Sequence, residues 1–223
     1  AGWLTASAAL AANAGFGPDL IYLPELPFDM EKFIEETMDV YRRQNNVIIA
    51  VSEGIRDKDG RYISEYGSDL AKSKDAFGHA QLGGLANTLA NIVKEKTGAK
   101  VRGIEFSLLQ RCAAHCGSLT DVNEAYMAGQ MAVRYAVEGK TDYMVAFERA
   151  AGPEYKCATK LVNLTDVANT EKKIPREWIN EAGNGLNKQF IDYALPLIQG
   201  ESRPPLENGL PRFAKLKKVL AAK

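Results

Sequence analysis

The chain has 223 residues, 46% of them hydrophobic and 25% charged, with 28 basic side chains balanced by 28 acidic ones. That length is enough for a real apolar core, and zero net charge removes the electrostatic case for nucleic acid or an anionic membrane as the main partner. Three cysteines without a framework spacing fit a reducing cytoplasm better than an oxidising compartment, and no apolar run reaches the roughly 18 residues that cross a bilayer.

Taken in order, Ala1 to Asn13 is small and apolar and lacks a basic leader segment. It predicts a helix buried against a sheet, stopped by Gly15 and Gly17. The run begins without Met and reads as a helix that has lost what preceded it, so a piece of a longer protein is expected. Asp19 to Glu25 is a short apolar run closed by Pro24, a buried strand with Glu25 at its carboxyl end. Functional side chains collect at such ends in α/β sheets, although a solvated loop carboxylate is the commoner role of a lone glutamate. Asp29 is a plausible N-cap for a helix from Met30 to about Arg43, whose glutamates come early and arginines late, as the helix dipole favours. Asn46 to Ser52 carries the β-branched run of Val47, Ile48, Ile49 and Val51, typical of a parallel strand buried on both faces.

A charged excursion follows at about 54–76. Asp57 and Asp59 have metal-loop spacing, but Lys58 sits between them and a solvated loop is the better reading. Phe77 to Gly84 is glycine-rich and opens a helix that Gly98 ends. It lacks both the P-loop lysine and the dinucleotide spacing, so close backbone packing explains it better than a phosphate cradle. Val101 to Ser107 then reads as a strand with Arg102 at its start and Arg111 where it gives way to a turn. Arginines so placed grip phosphate or carboxylate, or are merely two solvated surface charges.

Cys112, His115 and Cys116 invite a zinc reading. The distant partners would have to be His79 and Cys157, and a Cys/His nucleophile pair is equally thin, so packing in the core is expected. A helix from about Thr120 to Glu138 has Thr120 or Asp121 as cap, Glu124 for a capping box, and small residues Ala125, Ala128, Gly129 and Ala132 for close approach to a sheet. Asp142 to Phe147 and Cys157 to Leu164 are extended. The tail from Pro175 holds a short helix near 188–198 and several prolines, and is expected to wrap the body. Alternating strands and helices make the fold class α/β, a mainly parallel sheet with flanking helices.

What survives is a carboxylate at one strand end and arginines on another, the vocabulary of a phosphosugar site. On Ala1-Gly2-Trp3-Leu4-Thr5-Ala6, Leu23-Pro24-Glu25-Leu26-Pro27-Phe28, Phe77 to Gly84, Val101-Arg102-Gly103-Ile104, Leu109-Gln110-Arg111 and Asp166-Val167-Ala168-Asn169, the chain resembles the C-terminal part of a phosphofructokinase of the pyrophosphate-dependent branch. The resemblance implies a fructose-6-phosphate lobe over residues 1–111, a segment at 112–174 returning to the donor lobe, and a wrapping tail at 175–223. It matches Glu25 to the family glutamate on the sugar hydroxyls, Arg111 to the arginine on the sugar phosphate, and Arg102 to one that reaches a neighbouring subunit's phosphate. Leu108 departs from the pattern, standing where the family has His or Tyr against the sugar, and a leucine donates no hydrogen bond. The donor loop, the base aspartate and the Met-Gly-Arg motif would precede Ala1, so no catalytic residue is expected in this chain.

The resemblance further implies Mg2+ held mainly through the donor and the N-terminal part, fructose 6-phosphate and pyrophosphate (or ATP) as substrates, a cytoplasmic location and a homo-oligomer, dimer or tetramer. An ATP-dependent phosphofructokinase and a non-catalytic sugar-phosphate-binding or assembly subunit are the alternatives.

Overall fold

A computed structural model describes residues 2–67 and 84–220. The Phe77 to Gly83 part of the glycine-rich motif, with His79, lies outside the described residues. The chain divides into two compact units, one of Ala1–Phe106 with Val162–Pro196 and one of Ser107–Leu161 with Leu197–Lys223.

The first unit is built on one βαβ element. Strand β1 (Leu20–Tyr22) pairs in parallel with β2 (Ile49–Val51), Ile21 opposite Ala50. Between them runs α3 (Met30–Gln44), whose start is set by Asp29: its carboxylate accepts from the amides of Glu31 and Lys32 at 2.9 and 3.1 Å. Such a cap is worth about 1 kcal/mol. β1 is buried on both faces because its side chains alternate between two apolar clusters. Leu20 and Tyr22 join Phe28, Phe33 and Ile55, together with α4 (Leu85–Thr97), on one side. Ile21 and Leu23 join Ile174, Ile179 and Phe190 on the other, with α7 (Lys188–Ala194) and the chain start.

The chain start is α1 (Trp3–Ala6) and α2 (Ala8–Asn13), which run on through Ser7. They end in a Schellman motif: Gly15 takes φ 82° and donates to the Ala12 carbonyl, while Phe16 donates to that of Ala11. Glycine suits this left-handed position because it has no Cβ to clash. The described part of the excursion after β2, residues 54–67, packs into the core through Ile55 and Ile63, which are fully buried.

The second unit contains α5 (Leu119–Val137) and the paired strands β3 (Tyr143–Arg149) and β4 (Cys157–Asn163), the last of which runs on into the first unit. After β4 come α6 (Leu164–Val167) and, near the chain end, the short antiparallel pair β5 (Leu206–Glu207) and β6 (Leu210–Pro211). The cap of α5 is Ser118, not Thr120 or Asp121: the Ser118 hydroxyl accepts from the Asp121 amide at 3.1 Å. Glu124 accepts instead from the Tyr155 hydroxyl at 2.5 Å, so no capping box forms.

Two further expectations change. Val101 to Phe106 is not in a strand, and Ser107–Cys112 is a 3-10 turn; the alternating residues have no partner strand among the described residues, and a strand needs a ladder to exist. Cys112, His115 and Cys116 are exposed rather than packed in a core. The β structure of the described residues is thus three two-stranded sheets, in a mixed α/β fold. No helix among them is long and apolar enough to cross a membrane.

Candidate functional site

Glu25 follows β1 by three residues, in the turn that Pro24 imposes, and is half-buried. One oxygen, Oε1, accepts from two backbone amides, Gly2 at 2.9 Å and Ile174 at 3.2 Å. The other, Oε2, is buried and has no hydrogen-bond partner among the described residues. Leaving a buried polar group unpaired costs on the order of 1–3 kcal/mol, more for a charged one, so such an atom calls for a donor. The clip around Glu25 is reinforced one residue along, where the Trp3 indole Nε1 donates to the Lys172 carbonyl at 2.7 Å and the Trp3 ring meets Trp178 edge-on.

Arg102 is exposed in the irregular stretch after α4 and pairs with no carboxylate among the described residues. Its neighbours hold that stretch against the helix start: the Glu105 carboxylate accepts from the Ala86 amide at 3.2 Å, and a Cβ on Gly103 would lie 2.6 Å from the Ala86 carbonyl oxygen. Glu105 thereby does the capping that Gly84, which has no side chain, cannot. Arg111 and Leu108 lie in the 3-10 turn that opens the second unit; Leu108 is 66% exposed, and Arg111 is exposed with no ion pair among the described residues. Glu25 and Arg102 thus belong to the first unit, Leu108 and Arg111 to the second.

Two other polar groupings are structural. In the charged excursion the Asp57 carboxylate accepts from the Tyr66 hydroxyl and from the amides of Arg61 and Asp59, which holds it below the usual carboxylate range. It is committed to a turn. A cleft of about 610 Å³ beside it is lined by Tyr22, Asp29, Lys32, Arg176 and Glu181 among others, and by none of the four candidate residues. In the second unit, burial and then the Glu124 carboxylate push the Tyr155 phenol up, and burial does the same to the Cys157 thiol. A thiol so placed stays protonated and is a poor nucleophile.

The sequence profile of the family described as phosphofructokinase matches residues 1–105. The chain is 42% identical, over 98% of its length, to the pyrophosphate–fructose 6-phosphate 1-phosphotransferase of Halomonas elongata. Solved pyrophosphate-dependent phosphofructokinases from Marinobacter aquaeolei and Nitrosospira multiformis match all of it, with TM-scores of 0.81 and 0.82 at 37% and 34% identity. The chain belongs to the phosphofructokinase family. It covers 51% of each of these three relatives, so it spans about half their length.

For a phosphofructokinase segment, the informative residues beyond the four candidates are Gly2, Trp3, Ile174 and Glu105. Two of them act through a backbone amide, which no side-chain pattern announces. Ile174 lies 149 positions from Glu25, a pairing only the folded chain displays.

Proposed function

We propose that this chain is the acceptor half of a pyrophosphate-dependent 6-phosphofructokinase. The observation that carries the reading is likeness to pyrophosphate–fructose 6-phosphate phosphotransferases along the entire chain at 42% and 38% identity. In that reaction the sugar's primary hydroxyl attacks the terminal phosphorus of pyrophosphate. A new P–O bond forms, the bridging P–O bond breaks, and orthophosphate leaves; the hydroxyl proton goes to a base outside this chain. Catalysis of this kind is mostly positioning and charge neutralisation.

The residues here supply the positioning. Glu25 accepts hydrogen bonds from the sugar hydroxyls, Arg111 holds the sugar phosphate through its planar fork, and Leu108 offers an apolar wall in place of a donor. Arg102 serves the same phosphate class in a neighbouring subunit of a homo-oligomer, which its exposure permits. Mg2+ would neutralise the donor's negative charge. Its ligands would be mainly the donor itself and the N-terminal part of the fold that the relatives have beyond this chain.

The lobes follow the same division: residues 1–111 bind the sugar phosphate, 112–174 return to the donor lobe, and 175–223 wrap. The support is in α5. Leu119, Val122, Tyr126, Val133 and Val137 fall on one stripe of that helix and are 43–84% exposed, as expected of a face that another layer covers. β1 and β2 are then the seed of a larger parallel sheet. Three free cysteines suit a cytoplasmic enzyme.

The test is to supply the full-length protein with fructose 6-phosphate and Mg2+, and either pyrophosphate or ATP. Fructose 1,6-bisphosphate should form with pyrophosphate. Product from ATP alone would reverse the donor assignment, and sugar-phosphate binding with no turnover would make the protein a binding subunit.

A further inference from the structure

We infer that the two oxygens of Glu25 divide their work, Oε1 serving the fold and Oε2 the ligand, and that Gly2 is the positioning residue that makes the division possible. This rests on the reading of Glu25 as an acceptor for sugar hydroxyls. A carboxylate has about two lone-pair sites on each oxygen. Both of those on Oε1 are filled, by the amides of Gly2 and Ile174 at 2.9 and 3.2 Å. Those on Oε2 have no partner among the described residues, and the atom is buried. That oxygen therefore keeps its acceptor sites for donors such as adjacent hydroxyls of a sugar phosphate.

Gly2 matters twice. Its amide is one of the two anchors, and its missing side chain leaves the space that Oε2 occupies. A Cβ built there would lie 2.7 Å from Oε2, 2.8 Å from Cδ of Pro24 and 2.9 Å from Cδ2 of Leu23. The proline ring is rigid and Leu23 belongs to the core, so the carboxylate is the group that would turn away. The bond from Trp3, next to Gly2, to the carbonyl of Lys172, two positions before Ile174, ties the two anchoring segments together.

The experiment uses the full-length protein, reading KM for fructose 6-phosphate, kcat and the thermal midpoint Tm. Glu25→Gln retains a carbonyl oxygen for the two amides and puts a donor where Oε2 was. It should keep Tm within about 2 °C of the parent while raising KM about 10-fold or more. Glu25→Ala should raise KM similarly and lower Tm as well. Gly2→Ala should raise KM about 10-fold with kcat within about 3-fold. In the Glu25→Ala background it should add less than about 2-fold, because its effect passes through the carboxylate.

If Glu25→Gln leaves KM unchanged, Glu25 is no acceptor, and the inference falls with that reading. If Glu25→Gln raises KM but Gly2→Ala does not, or Gly2→Ala costs as much without the carboxylate as with it, the role of Gly2 falls alone. Should Gly2→Ala fail to fold, the other two variants decide: equal losses of Tm in Glu25→Gln and Glu25→Ala would overturn the division between the oxygens.

Discussion

The two units of this chain differ in what they bury. In the first, β1 lies between two apolar clusters, and Phe33, Ile55, Ile63 and Phe190 are almost wholly removed from solvent. In the second, no described residue is buried, although α5 runs for 19 residues and packs against a β-hairpin. Both units have well-made local structure. α5 has a serine cap, and its last turn carries an Arg134–Glu138 ion pair at 3.0 Å. Regular elements therefore arise from local rules, whereas a core requires a second layer, and only the first unit brings its own. Gly129 shows the same thing at one atom: the small residues of α5 look made for close packing, yet a Cβ on Gly129 would meet nothing within 4 Å.

The sharpest way to break this contrast is to truncate one large side chain in each unit. Phe33→Ala should destabilise the chain by about 3–5 kcal/mol in denaturant unfolding, the usual cost of a buried aromatic. Tyr126→Ala, on the exposed stripe of α5, should cost no more than about 0.5 kcal/mol in this chain and several times that in the full-length protein. Equal costs in this chain would mean that α5 is already covered.

A second prediction separates stability from binding. Arg111→Ala removes an exposed charge without an ion partner among the described residues, so Tm should hardly move. The KM for fructose 6-phosphate in the full-length protein should nevertheless rise by the equivalent of about 2 kcal/mol, that of a charged phosphate contact. An unchanged KM removes Arg111 from the site.

Smaller again, Ser118→Ala should cost about 1 kcal/mol, seen as loss of helical signal from the second unit. Its hydroxyl both caps α5 and donates to the Leu197 carbonyl at 2.6 Å. The effect should be confined to that unit, with the unfolding of the first unchanged.

The subtlest difference is in pH response. Each unit holds a tyrosine bonded to a glutamate, Tyr22 to Glu36 at 2.6 Å and Tyr155 to Glu124 at 2.5 Å. Burial first, and then the neighbouring carboxylate, push both phenols up. A raised folded-state value means the folded protein holds its proton longer than the unfolded chain. The stabilisation is thus complete below the unfolded value of about 10 and is lost as pH rises above it. Tyr22→Phe should flatten the alkaline loss of stability of the first unit, and Tyr155→Phe, at a more open site, should flatten that of the second less. A larger effect from Tyr155 would contradict the contrast in burial.

Where the pattern of side chains sufficed, the reading from residues was good. Asp29 capping α3, the apolar run at β1, Gly98 ending α4 in the left-handed conformation, and the strands near 143 and 157 all depend on neighbours a few positions apart. The stretch from Val101 to Ser107 had the composition of a strand and is not one, because a ladder partner is a tertiary matter. The same holds for Cys112, His115 and Cys116, which read as core because cysteines are so often buried but which lie in a unit with no buried residue among those described.

The sequence by itself thus determined the order of the elements, the family, and the chemical types available at the candidate site: a carboxylate and two arginines. These follow from local conformational preference and from motifs that are contiguous in the chain. Only the tertiary structure decided how Glu25 is held. Its anchors are backbone amides, one near the start of the chain and one at residue 174, and backbone amides are the same at every position but proline. Which of them meets a given carboxylate depends on the packing of distant segments, as does the burial of Oε2, which has no partner among the described residues.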